Sequence, residues 1–132
     1  MRGIRAALAV GLLAYGPALA QPQAMAAAAR ALQAAESELR DTLRRMDEGS
    51  LGDSMGVSRL RQALNEVERA MLRMPAESRQ GAPWQTAVKE VTEAMETLRA
   101  DQVDPSAARD AAGEALGTLP ALRGAETGSE GG

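Results

Sequence analysis

Residues 57–74 read VSRLRQALNEVERAMLRM, and their spacing decides the fold. Val57, Leu60, Leu64, Val67, Met71 and Met74 alternate intervals of three and four, which is the seam of an amphipathic helix. Pro75 is expected to stop that helix at Met74, because a residue before proline avoids the helical region. Leu72 lies off the seam and is the residue to watch for a contact outside the fold.

Working outward, three further segments carry helical periods. Residues 23–46 place Met25, Leu32, Leu39 and Met46 seven apart, with Ala28, Ala35 and Leu43 filling the stripe. Glu36–Arg40 and Asp41–Arg45 are expected on the outer face, acid four residues before base, the favourable order for helix pairs. The loop DEGSLGDSMG (Asp47 to Gly56) ends this segment with three glycines and three acids. After Met74 the connector PAESRQGAP leads to Pro83, suited to the first turn of a helix. That third helix, Trp84 to Ala100, puts Trp84, Val88, Val91, Met95 and Leu98 on one face. Asp104 then serves as N-cap with Pro105 at the first helical position. A weaker, alanine-rich fourth helix runs from Ser106 to about Leu119 with Ala108, Ala112, Ala115, Leu116 and Leu119 inward. Pro120 is expected to end it, and residues 120–132 read as a disordered acidic tail.

Four helices on short polar connectors predict an all-α fold, a small antiparallel up-down-up-down four-helix bundle over residues 21–119. Its core would be thin, because Leu and Val number only 16 after residue 20, with no Phe or Ile beside them. Modest stability is therefore expected, or a dimer that buries a second stripe.

The N-terminus reads as an address. Arg2 and Arg5 precede a wholly apolar or glycine run, Ala6 to Ala14, which is too short to span a bilayer as a helix. Gly16 and Pro17 break it, and Ala18 and Ala20 supply the small residues of a cleavage site before Gln21. Residues 1–20 are thus expected to be a Sec-type signal peptide cleaved after Ala20, giving a periplasmic or secreted protein with no stable membrane insertion. The two arginines are not adjacent, so the signal is not of the twin-arginine kind, and no cysteine follows the cleavage site to carry a lipid. Removal leaves 112 residues with a net charge of −5. Mild acidity without a basic patch argues against nucleic acid or anionic membrane as partners.

The 132 residues contain no histidine and no cysteine. That removes Ser-His-Asp and Cys-His nucleophiles, histidine general bases, and His or Cys ligands for zinc, copper or haem. In export, size and helix count the pattern resembles the periplasmic four-helix-bundle cytochromes. It lacks their haem-attachment Cys-x-x-Cys-His motif and axial histidine, so haem binding is not carried over and no cofactor is expected. Met71 and Met74 form an M-x-x-M pair that invites a soft Cu(I) site, with Met46 and Met55 flanking the acidic loop. Gap-filling core methionine accounts for them better. Glu90, Glu93, Glu96, Asp101 and Asp104, and the loop acids Asp47, Glu48 and Asp53, lack EF-hand or Glu-x-x-His spacing and read as solvated faces. Lys89, the sole lysine, reads as a surface residue rather than a nucleophile.

What remains is interaction. Trp84, the only aromatic after residue 20, opens the third helix beside a proline-bounded connector, where it is expected to cap the end of the bundle, with Met74 and Arg79 nearby as candidate residues for any ligand contact; on the second helix the seam and its neighbour Leu72 are the expected contact material. The expected function is non-catalytic: an exported helical protein acting through helix faces on an envelope protein partner or on itself as a homodimer. The alternative is a small periplasmic carrier of a soft metal or apolar ligand in the bundle core.

Overall fold

The computed structural model of the chain describes residues 26–127, and the signal read over 1–20, the first stripe residue Met25 and the last five residues lie outside that range. The described residues form a helical bundle without strands: α1 (residues 26–47), α2 (Asp53–Leu72), α3 (Ala82–Arg99) and α4 (Pro105–Thr127), with a 3-10 turn, Ala76–Ser78, between α2 and α3. Among the described residues, no helix is long and apolar enough to cross a membrane.

Each boundary has a local cause. α1 closes on Gly49, whose φ of 79° is open to glycine at little cost. The Ser50 amide donates to the Arg45 carbonyl (3.0 Å) and the Gly49 amide to that of Met46 (3.1 Å), a Schellman closure that satisfies two terminal carbonyls. α2 begins at Asp53, four residues before Val57, so Gly56 lies inside its first turn rather than in the loop. Met46 packs there, and a Cβ on Gly56 would lie 2.5 Å from its sulfur. α2 ends at Leu72 with Arg73 as C-cap, slightly earlier than Pro75 alone dictates. α3 starts from Gly81 (φ 92°) with proline in its first turn. At α4 the Asp104 carboxylate accepts from the Ser106 amide at 3.1 Å, the N-cap expected there.

The five seam residues on α2 and Met74 just beyond its end are buried, as are Ala28, Leu32, Ala35, Leu39 and Met46 on α1. α3 departs from the expected face. Ala87, Val91, Ala94 and Leu98 are buried, Trp84 and Met95 only half so, and Val88 is exposed. The helix is rotated so that Ala87 and Ala94 join its buried stripe; on α4, Ala108, Ala112 and Ala115 are fully buried. Small facing side chains let the two axes approach closely, and α3 and α4 share the most extensive contact among α2, α3 and α4.

Two further expectations are corrected at the α1–α4 flank. Pro120 does not end the last helix, which continues through it to Thr127. The proline forgoes one amide hydrogen bond, normally a cost of about 3 kcal/mol in a helix interior. Leu122 (1% exposed) anchors the continuation, so the stretch expected to be tail begins as packed helix. Glu36, expected on the outer face, is also 1% exposed. Its carboxylate keeps the pairing with Arg40 at 3.7 Å. It also accepts two hydrogen bonds from Arg123 of α4, one from Nη2 at 2.9 Å and one from Nε.

Candidate functional site

At the end of the bundle where α2 finishes and α3 starts, a small groove of about 100 Å³ opens between the two helices. Met71 and Val91 form its floor. Leu72, Trp84 and Val88 form its walls, and Glu68 is the one ionisable side chain lining it. The helical register explains the arrangement. Glu68 and Leu72 are four apart on α2 and share a face, as do Trp84 and Val88 on α3. Because α3 buries the stripe of Ala87, Val91, Ala94 and Leu98, its bulkier residues at 84 and 88 lie away from the centre and line the groove beside α2.

The groove gathers most of the large apolar surface that the bundle leaves uncovered. Leu72 is 61% exposed and Val88 38%; the third large exposed apolar residue among those described, Met55, lies at the opposite end of α2. An exposed leucine alone would be ordinary. Leu72 and Val88 bordering one concave surface beside the only tryptophan make a patch that water covers poorly.

Of the four residues singled out from sequence, the structure brings two together. Leu72 and Trp84 line the groove. Met74 is 2% exposed and belongs to the core, next to its seam neighbour Met71, while Arg79 is exposed just after the 3-10 turn and is not among the lining residues. Sequence reasoning missed Glu68 and Val88. The signal available was the spacing of Ala87, Val91, Ala94 and Leu98, an α3 stripe that shares Val91 and Leu98 with the expected face and leaves Val88 outside it.

At the far end of the same two helices, Arg61 of α2 donates from Nε (3.2 Å) and Nη2 (2.6 Å) to the Leu98 carbonyl of α3. That carbonyl lies in the last turn of α3 and has no partner within its helix, so a guanidinium there completes the hydrogen bonding and sits at the negative end of the dipole. Two larger clefts are open. One, about 460 Å³, runs along Asp53, Val57, Arg61 and Val103; the other, about 450 Å³, along Arg44, Asp47, Arg109 and Asp110. The second is bordered by an Arg109–Asp47 pair at 3.5 Å in which Asp47 is 81% exposed, a surface ion pair of little energetic weight.

Electrostatics are concentrated on the α1–α4 flank. The hydrogen bond it donates to Glu36 holds the Arg123 guanidinium above its ordinary pKa, against the opposing effect of desolvation and with help from the carboxylate's charge. A cation whose folded pKa is raised contributes stability at every pH below its unfolded value, so this side of the pair does not titrate in any accessible range. Arg44 is raised likewise by its hydrogen bond to Asp41 and by the charges of Glu48 and Asp41. Among the described residues no three acids converge in a cluster able to hold a metal ion. The groove itself presents an apolar recess, with an indole and one carboxylate among its lining residues. No known protein family, characterised protein or solved structure matches this chain.

Proposed function

We propose that this chain is a non-catalytic exported helical protein that acts through the α2–α3 face on a protein in the cell envelope, the partner or a second copy seating an apolar side chain in the groove. The observation that carries the reading is Leu72, 61% exposed at the rim of a recess walled by Trp84 and Val88. In a core built of only modest side chains, a leucine left in water at the mouth of an apolar groove is surface kept for contact. Export rests on the run from Arg2 to Ala20. The reading takes the bundle as running up-down-up-down. Cross-links in antiparallel order support that course: Asp47 with Arg109 and Glu36 with Arg123 join α1 to α4, and Arg61 in mid-α2 with the Leu98 carbonyl joins α2 to α3.

The test is made in the cell that produces the protein. A photo-reactive amino acid at position 72 should give a defined protein adduct in the envelope fraction, while the same group at exposed Glu38 of α1 should not. N-terminal analysis should find Gln21 first. Absence of any adduct at position 72, or a purified protein that still begins at Met1, would overturn the corresponding half of the proposal.

A further inference from the structure

We infer that the occupant of the groove is Leu72 of a second copy of this chain, held in a weak two-fold dimer. The inference rests on the reading above that the α2–α3 face is the contact surface, and it names the partner.

The first argument is geometric. A two-fold interface needs one surface complementary to itself, so that each copy supplies both knob and hole. Here the knob and the hole are adjacent. Leu72 stands 61% exposed on the rim, and the recess beside it, walled by Trp84 and Val88 over Met71 and Val91, takes the end of a single aliphatic side chain. Two copies with α2 antiparallel therefore insert two leucines into two recesses by one symmetric movement.

Charge supplies the second argument. The segment 68–73 reads ERAMLR, with Leu72 between Arg69 and Arg73 and one turn after Glu68, and Lys89 follows Val88 across the groove. A rim of both signs selects no uniformly acidic or basic partner; it matches a surface carrying the same signs in reverse order. A two-fold axis between positions 70 and 71 sets Glu68 opposite the partner's Arg73, twice over. The contact joins two helix ends and covers less than the roughly 1,200 Å² of a standard interface, so the dimer is weak and concentration-dependent.

Sedimentation velocity on protein purified from its own host tests this over about 10 μM to about 1 mM, the range in which so small an interface would associate. The expected result is a reversible shift from monomer towards dimer, with a blue shift of Trp84 emission as the indole is covered. Leu72→Glu should abolish the shift with helicity unchanged. Glu68→Arg should weaken it by about tenfold, since it sets arginine against arginine, and adding Arg73→Glu should restore it. A monomer throughout the range overturns the dimer, as does association that Leu72→Glu leaves intact. If the protein stays monomeric while the position-72 adduct in cells contains a different envelope protein, the dimer falls and the groove reading stands. If there is no adduct either, both fall.

Discussion

The two flanks of the bundle solve the same problem with opposite chemistry. Between α1 and α4 a carboxylate with 1% exposure is locked by a guanidinium 87 residues away, and the surface is closed. Between α2 and α3 the groove is apolar, its leucine is 61% exposed, and the surface is left open. A buried charge tolerates no vacancy, because removing its partner leaves it without water or counter-ion. An exposed leucine is indifferent to the fold that carries it. The difference separates a flank built for integrity from one available for contact, and substitutions should divide the same way.

The largest effect is expected at the closed flank. Arg123→Ala should destabilise by about 3 kcal/mol in urea unfolding, since Glu36 would keep only the longer contact to Arg40. Glu36→Gln should cost less, about 1–2 kcal/mol, because the Arg123 side chain is 32% exposed and can turn to water. A reversed order would mean that the pair is not buried on the α1 side as described. Pro120→Ala should act in the opposite direction. It restores the missing amide and relieves the clash with the Leu116 carbonyl, so a gain of about 1–2 kcal/mol is expected from thermal unfolding. A loss instead would show that α4 depends on a proline-shaped bend to bring Leu122 and Arg123 onto α1.

The closed flank was also the less legible one. The α2 seam could be read because leucine, valine and methionine at intervals of three and four have no competing explanation, and all six are buried. Alanine is different. It occurs on every face of these helices, so the rotation of α3 onto Ala87 and Ala94 leaves almost no local signature, and Trp84 and Val88 drew attention to a face that is not fully buried. Glu36 sits at a spacing from Arg40 that favours a surface pair, and nothing nearby in the chain discloses a second arginine beyond Pro120. That proline carries a strong local stop signal, overridden here by the burial of Leu122 and the pairing of Arg123, which are long-range effects. In the candidate site the same limit applies. Leu72 and Trp84 stood out by pattern and by rarity, whereas Glu68 and Val88 acquire a role only once α3 is turned.

A smaller effect is expected where the open flank is tied at its far end. Arg61→Ala removes both donors to the Leu98 carbonyl, and a loss of about 1 kcal/mol is expected, since water can reach a carbonyl in the last turn of a helix. Amide exchange should localise it. Protection should fall in the last turn of α3 and stay unchanged around Trp84, so the end that holds the helices together is separable from the end that holds the groove. Equal loss along the whole of α3 would mean that the two ends are one cooperative unit.

The smallest effect on stability decides most about the comparison. Leu72→Asn replaces a leucine that contributes to the groove rim and little to the core, so unfolding should change by no more than about 0.5 kcal/mol. If the substitution costs about 2 kcal/mol or more, Leu72 packs as a core residue and the open flank is a second closed one. If stability is unchanged and capture at the groove is lost, stability and contact are carried by different flanks of the molecule. The rotation of α3 accounts for that division: burying Ala87 and Ala94 with Val91 and Leu98 leaves Trp84 and Val88 at the edge of the bundle, beside α2.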